Sequence, residues 1–94
     1  MGAEAFLDEV LNRVKEFLNR SQQNDVIRNG LTHDSLRRTI DLKLPIEGHG
    51  LESALDDIDS VLRHSVHTTA PGFMNPLWGG LSIASIAGEL VTAA

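Results

Sequence analysis

Two histidines, His64 and His67, lie three positions apart near the end of a helical pattern, where one helix face could present both to a metal ion. The sequence supplies no third metal ligand. His33, His49 and the acidic residues do not lie at positions from which they would join the two histidines. Histidines near a helix C-terminus also complement the helix dipole. We therefore interpret the pair as structural and predict no metal site.

Acidic and hydroxyl side chains offer no complete catalytic arrangement either. Asp56, Asp57 and Asp59 could attract a cation, but they lack the glycine and the ligand spacing of a calcium-binding loop. None of the serines is framed by glycines in the Gly-x-Ser-x-Gly pattern that exposes a nucleophile. We therefore interpret the aspartates as part of a solvated helix face and predict no serine nucleophile.

Glycines and lysines leave two further kinds of chemistry to weigh. Gly79 and Gly80 precede a helical pattern and could offer backbone N–H groups to an anion, but two glycines more often indicate a tight turn, which is the interpretation we favour. Lys15 and Lys43 have polar neighbours in sequence, whereas a Schiff-base lysine needs apolar or cationic surroundings. The chain has no cysteine for a disulfide, a thiolate metal site or a nucleophile. These residues thus form no complete catalytic set.

Apolar spacing predicts an all-α fold with long connections around these residues. In the first helix, apolar residues recur every three or four positions. The pairs Glu9–Arg13 and Glu16–Arg20 stand in the favourable order for ion pairs on one helix face, and the polar segment from Ser21 predicts an exit from the helix. We expect three to four helices, at about 3–20, 33–41, 51–66 and 81–94, and a loop over 68–80.

Local signals place the second and third helices. Thr32 can act as an N-cap, with Asp34 in the first turn, and Pro45 stops the pattern. A linker follows over 42–50. The third helix combines an apolar stripe with an acidic face of Glu52, Asp56, Asp57 and Asp59.

The charge of the chain is unevenly distributed. The 94 residues suffice for one small domain, and the net charge of −5 argues against a nucleic-acid partner. From His64 to Ala94 the only charged residue is Glu89, whereas average composition would place about seven there. The loop over 68–80 also holds large apolar residues, namely Phe73, Met74, Leu77 and Trp78. This third of the chain is expected to meet a membrane, a partner, or chain outside the sequence.

The apolar run over 81–94 argues against a membrane span. It is shorter than the roughly 20 residues that cross a bilayer, and Glu89 near its middle would be costly in lipid. The run reaches Ala94 without a capping residue, which indicates a helix cut by the end of the sequence. We see no signal peptide at the N-terminus and expect a cytoplasmic protein without a membrane partner.

The order of features over 61–91 resembles the early segment of the group II pyridoxal-phosphate-dependent amino-acid decarboxylases. That family includes the glutamate, aromatic-amino-acid, cysteine-sulfinate and diaminobutyrate decarboxylases. Its acidic helix, its His-Pro-x-Phe-Phe loop and its small-residue helix correspond to LESALDDIDSVL, the loop from Ala70 to Asn75, and the run from Leu81. Pro71 and Phe73 match, while Ala70 and Met74 depart from the usual histidine and second aromatic residue. The resemblance covers about 31–94.

The resemblance implies a fold and a function. Residues 1–94 would be the N-terminal helical dimerisation segment of a fold-type I enzyme whose large α/β domain is absent here. The partners would be the remainder of the decarboxylase chain, its dimer mate and an amino-acid substrate. Pyridoxal phosphate would be bound in the complete enzyme and not by this segment, which would be inactive alone.

Within the family the loop over 68–80 helps to shape the substrate pocket. Phe73 would pack against the substrate and Asn75 would hydrogen-bond its carboxylate. Asn75 also belongs to a run of residues that resembles the corresponding run in the branch of the family that acts on glutamate and cysteine sulfinate. The other residues of this run are Leu77, Gly80 and Leu81, and the resemblance suggests an acidic substrate. Plain core packing by Phe73 and a turn capped by Asn75 remain the alternative interpretation.

Two other functions fit the same residues. The chain could be a small helical interaction module that docks on another protein through 68–94 and needs no cofactor. It could also be a membrane-associated helical hairpin. The three hypotheses differ in what covers the uncharged surface: the rest of an enzyme, another protein, or lipid.

Overall fold

Four helices make up the regular structure of the described part of the chain. The structure is a computed structural model, and it describes residues 1–23, 30, 32–41, 43–71, 73 and 82–94. The helices are α1 (Ala3–Gln23), α2 (His33–Thr39), α3 (Gly50–Arg63) and α4 (Ile83–Ala93). No strand occurs in these ranges. The all-α fold class predicted from the sequence is therefore confirmed.

Helices α1 and α3 pack against each other and form the centre of the fold. They are the only pair of helices that pack together within the described ranges. Phe17 of α1 and Leu55 of α3 are buried, at 8% and 5% exposure, and Ala70 beyond α3 is also buried. The core is thin, as expected when a short chain buries a small share of its surface.

Helix α1 continues through Ser21 and ends at Gln23, three residues beyond the predicted end. Ser21 is fully buried, so the prediction of a polar exit at this residue is wrong. The physical reason is that the Ser21 hydroxyl donates a hydrogen bond to the Phe17 carbonyl oxygen at 2.8 Å. A serine whose hydroxyl is satisfied one turn back can lie on the buried face of a helix.

Arg13 joins the two central helices electrostatically. Its Nε donates to Asp59 Oδ1 at 2.8 Å, and one of its terminal nitrogens donates to Glu9 Oε2 at 2.7 Å. The Glu9 hydrogen bond is the main cause that raises the pKa of Arg13. The predicted Glu9–Arg13 pair is thus confirmed, whereas the predicted Glu16–Arg20 pair does not form among the described residues. Asp59 is half-buried and paired, not solvated as predicted.

We expect the Arg13–Asp59 pair to couple α1 and α3 weakly. A double-mutant cycle of Arg13→Ala and Asp59→Ala in the complete protein should give a coupling energy of about 0.5 kcal/mol, because both side chains are partly solvated. The measurement is urea denaturation at two salt concentrations, and the coupling should shrink at the higher one. A coupling energy of zero at low salt would contradict the proposed link.

Helix α2 is set by local hydrogen bonds. The Thr32 hydroxyl oxygen accepts the Ser35 backbone N–H at 3.2 Å, which confirms the predicted N-cap. Asp34 lies in the first turn and Arg37 and Arg38 in the last, where each sign of charge suits the helix dipole. No other described helix packs against α2.

We expect Thr32→Ala to destabilise α2 by about 1 kcal/mol, since the cap satisfies an N–H group that otherwise lacks a helical partner. Backbone amides of α2 should then exchange with solvent about fivefold faster in hydrogen-exchange mass spectrometry. Thr39→Ala is the control, because the Thr39 hydroxyl bonds the Ser35 carbonyl and caps no N–H group. Equal exchange in the two variants would contradict the capping role.

The ends of α3 differ slightly from the predicted range of 51–66. The helix begins at Gly50, whose φ of +85° is a left-handed conformation that favours glycine. It ends at Arg63, with His64 as its C-cap. Hydrogen bonding to its own backbone N–H, and secondly the charged Met1 amino group, lower the pKa of Glu52 in the first turn.

The described arrangement is open. Its accessible surface is 7525 Å². A compact monomer of this mass would expose about 5,300 Å². Its radius of gyration of 15.1 Å exceeds the roughly 12 Å of a compact domain of this length. Helix by helix, the described residues contain no span long and apolar enough to cross a bilayer.

Candidate functional site

The segment after α3 carries the residues singled out from the sequence, and backbone hydrogen bonds organise it. The Ala70 N–H donates to the His67 carbonyl oxygen at 3.2 Å, and the Phe73 N–H donates to the Ala70 carbonyl oxygen at 3.0 Å. Ala70, at 6% exposure, is one of the few buried residues of the fold. The two bonds therefore tie Phe73 to a buried point of the chain.

His67 connects this segment to α1. Its Nδ1 lies 2.6 Å from the Ser21 hydroxyl oxygen, across 46 positions of sequence. Its ring also stacks on Phe17, with centroids 5.1 Å apart and an interplanar angle of 22°. Ser21 and Phe17 are one turn apart on the buried face of α1, so both contacts come from the same patch of that helix.

The hydrogen bonds around Ser21 indicate which atom of His67 carries a proton. A serine hydroxyl has one hydrogen, and the Phe17 carbonyl oxygen can only accept. If that hydrogen points to the carbonyl, the bond to His67 requires an N–H at Nδ1. With the hydroxyl hydrogen directed at Phe17, Nδ1 of His67 is the donor to Ser21.

His64 has a different environment from His67. Its Nδ1 lies 2.8 Å from the Ser60 carbonyl oxygen, one turn back in its own helix, so the bond is local to the end of α3. Among the described residues, no group of three or more side chains could hold a metal ion. The two histidines thus form two separate hydrogen bonds, one within a helix and one between segments.

The predicted pocket residues fall on both sides of the described boundary. Phe73 is half-buried in the structure. Asn75 lies outside the described residues, as do Met74, Leu77, Trp78, Gly79, Gly80 and Leu81. Ala70, which stands where the group II decarboxylases usually have a histidine, is buried and therefore not exposed to a substrate. Of the predicted pair, the structure therefore places only Phe73.

Ser21, Phe17 and His67 form a cluster that sequence reasoning missed. One signal was present: Ser21 follows Phe17 by four positions and so continues the buried face of α1. No local pattern pointed to the partnership of His67 with that face, because its contacts span 46 to 50 positions.

Helix α4 presents an apolar face that no described helix covers. Ile83, Ile86 and Leu90 project within about 60° of one another at 3.6 residues per turn. Ile83 and Leu90 are 64% and 60% exposed, and Val91 beside them is 76% exposed. The opposite face carries small and polar residues: Ser85, Gly88, Glu89 and Thr92. A face of this kind is typical of a contact surface.

Comparison with known proteins relates the whole chain to one group of enzymes. Glutamate decarboxylase of Drosophila melanogaster is 29% identical over 89 residues, which cover 94% of this chain and 18% of that protein. Cysteine sulfinic acid decarboxylase of Mus musculus is 28% identical over 94 residues, which cover 98% of this chain and 19% of that protein. The chain thus spans about a fifth of the length of these relatives. No protein-family model matches it.

The fold agrees with the sequence comparison. The crystal structure of mouse CSAD superposes with a TM-score of 0.82 and 27% sequence identity, over 96% of this chain and 19% of that one. The human cysteine sulfinic acid decarboxylase is 34% identical over 59 residues, which cover 63% of this chain and 12% of that protein. In sequence and in fold, the chain therefore resembles the N-terminal segment of the group II amino-acid decarboxylases.

Proposed function

We propose that the chain is the N-terminal segment of a pyridoxal-phosphate-dependent decarboxylase, a lyase that releases CO2 from an acidic amino acid. The structural match over 96% of the chain carries this proposal. The relatives are named for glutamate and cysteine sulfinic acid, and both of these compounds bear a second acidic group. The segment would contribute dimer interface and pocket wall to a cytoplasmic enzyme.

The open surface supports a structural role within a larger assembly. The chain exposes about 2,000 Å² more than a compact monomer of its mass would, and the excess includes the apolar face of α4. Burial of apolar surface stabilises an interface by roughly 25 cal/mol per Å². We propose that the remainder of the enzyme and its dimer mate cover this surface, including residues of the uncharged region over 64–94.

The residues of this chain do not fit the cofactor itself. Lys15 and Lys43 are both exposed, and a lysine that forms a Schiff base needs a desolvated or cationic setting. When bound, pyridoxal phosphate supplies the electron sink for loss of the carboxylate. We propose that the rest of the enzyme holds it, and that this segment acts on the substrate only through packing and hydrogen bonding.

The pocket loop provides a sharp test of that role. Asn75→Asp would set a carboxylate against the carboxylate of an acidic substrate, so we expect the KM for that substrate to rise about tenfold or more, given the roughly 1.5–3 kcal/mol of a hydrogen bond to a charged group. Asn19→Asp, on the exposed face of α1, makes the same change of charge as a control. Steady-state kinetics of both variants would decide, and equal KM values would contradict the assignment of Asn75.

Phe73 has a separate expected effect. Phe73→Leu keeps an apolar side chain and removes the ring that would pack on the substrate, so it should raise KM by a few-fold with a smaller change in kcat. Phe6→Leu on α1 is the control, because Phe6 is also half-buried but lies in another part of the fold. A Phe73 variant with unchanged KM would favour plain core packing.

The proposed function is tested on the complete protein. After reconstitution with pyridoxal phosphate, CO2 release is measured from L-glutamate, L-aspartate and L-cysteine sulfinic acid, with L-phenylalanine as a non-acidic comparison. Release from one of the acidic compounds supports the proposal. Absence of both release and cofactor absorbance would oppose it, and would favour the alternative of an interaction module that docks through 68–94.

A further inference from the structure

We propose that His67 is a positioning residue for the substrate pocket: it links α1 to the segment over 67–73 and thereby sets the location of Phe73. The inference rests on the proposed function, because it takes Phe73 as part of the pocket wall. It assigns a role to His67, Ser21 and Phe17, which the pocket hypothesis itself does not use.

The first step is the strength of the anchor on α1. Ser21 is fully buried and its hydroxyl bonds both the Phe17 carbonyl oxygen at 2.8 Å and His67 Nδ1 at 2.6 Å. The stacked ring of Phe17 adds a second contact that fixes the plane of the imidazole. A hydrogen bond and a ring stack together define the position and the tilt of His67, which neither contact would do alone.

The second step is the connection from His67 to Phe73. The backbone carbonyl of His67 accepts the Ala70 N–H, and the carbonyl of Ala70 accepts the Phe73 N–H. Ala70 lies between these bonds and is buried, so it has little freedom to absorb a displacement. A shift of His67 is therefore expected to reach Phe73 through Ala70 and two backbone hydrogen bonds.

The third step is the contrast with the neighbouring histidine. His64 bonds a carbonyl oxygen of its own helix, so its loss would affect the C-terminal turn of α3. Its hydrogen bond does not join α1 to the pocket segment. His64→Ala is thus a matched control for His67→Ala: the same substitution, three positions away, without the link between segments.

Hydrogen-exchange mass spectrometry of the complete protein tests positioning without any need for activity. In His67→Ala, peptides that contain the Ala70 and Phe73 amides should exchange about tenfold faster, which corresponds to ~1.4 kcal/mol. In His64→Ala they should exchange as in the wild type. His67→Asn should restore only part of the protection, because its amide can donate to Ser21 from nearly the place of Nδ1 but lacks the ring that stacks on Phe17. Unchanged exchange in His67→Ala would overturn the inference.

Steady-state kinetics tests the consequence for the substrate. If wild-type CO2 release is found, His67→Ala should raise KM for the acidic substrate about fivefold, while kcat changes less than twofold. Leu55→Ala weakens the same helix pair and removes neither the Ser21 hydrogen bond nor the Phe17 stack of His67, so it should lower the active fraction and leave KM unchanged. If His67→Ala and Leu55→Ala gave the same KM and kcat, the positioning role of His67 would be overturned.

The two proposals fail in different ways. A wild-type protein that releases no CO2 from any tested amino acid opposes the proposed function, and the exchange experiment still decides whether His67 positions Phe73. Conversely, an active wild type with unchanged exchange and KM in His67→Ala retains the proposed function and removes His67 from it.

Discussion

Leu90→Glu in the complete protein is expected to abolish stable assembly. Leu90 lies on the apolar face of α4 at 60% exposure, where the proposed enzyme would cover it with other protein surface. The substitution removes about 1.5–3 kcal/mol of apolar burial and adds the cost of an unpaired carboxylate in a contact surface. At 1.4 kcal/mol per factor of ten, the association constant should fall about 100-fold or more. Sedimentation velocity over a range of concentrations measures it.

Thr92→Glu is the matched control for Leu90→Glu. It introduces the same charge two positions away, on the face that already carries Ser85 and Glu89. That face is polar, so we expect wild-type sedimentation from this variant. Equal sedimentation of both variants and the wild type would mean that the apolar face of α4 is not a contact surface. Trp78→Ala, a few positions before α4 in the sequence, is expected to impair dimer assembly in the same assay.

Leu55→Ala should destabilise the described core strongly. Leu55 is 5% exposed and belongs to α3, which packs against α1. Removing three carbons from a buried leucine costs about 2–5 kcal/mol, because the transfer energy is lost and a cavity remains. We expect the lower half of this range, since a thin core collapses more easily around a cavity. Urea denaturation of the complete protein, followed by circular dichroism, measures the change.

Val61→Ala provides the comparison on the same helix. Val61 is 57% exposed, so its truncation should change stability by less than about 0.5 kcal/mol. A difference between the two variants locates the core between α1 and α3. If Val61→Ala were as destabilising as Leu55→Ala, Val61 would have to be buried against another part of the complete protein, which would identify a further contact surface on α3.

The pocket and the assembly surface lie close together along the chain. Phe73 and the rest of 68–80 come shortly before α4 in the sequence, so one stretch would build both the proposed wall of the substrate pocket and the proposed contact surface. The homologous decarboxylases extend over about five times the length of this chain, so there is ample protein to cover both. The proposal therefore predicts that assembly variants on α4 also weaken substrate binding.

The amino-acid sequence alone was sufficient for the features that depend on near neighbours. Helices α1, α3 and α4 follow from apolar spacing, α2 from its Thr32 cap and the charges at its ends, and the Glu9–Arg13 pair from a separation of four positions. In each case the interacting groups lie within one helical turn, where backbone geometry fixes their distance. The amino-acid sequence also indicated the relation to the decarboxylases, because Pro71 and Phe73 lie between two segments with clear helical patterns.

The contacts between distant segments required the tertiary structure. Arg13 meets Asp59 and Ser21 meets His67, each across 46 positions, and no local pattern specifies such a pair. The sequence showed Ser21 as a polar helix exit and Asp59 as solvated, since a polar side chain is normally exposed unless a distant partner satisfies it. Packing of α1 on α3 brings Arg13 to Asp59 and the segment after α3 to Ser21, and for that physical reason the contacts of His67 could not be predicted from the sequence.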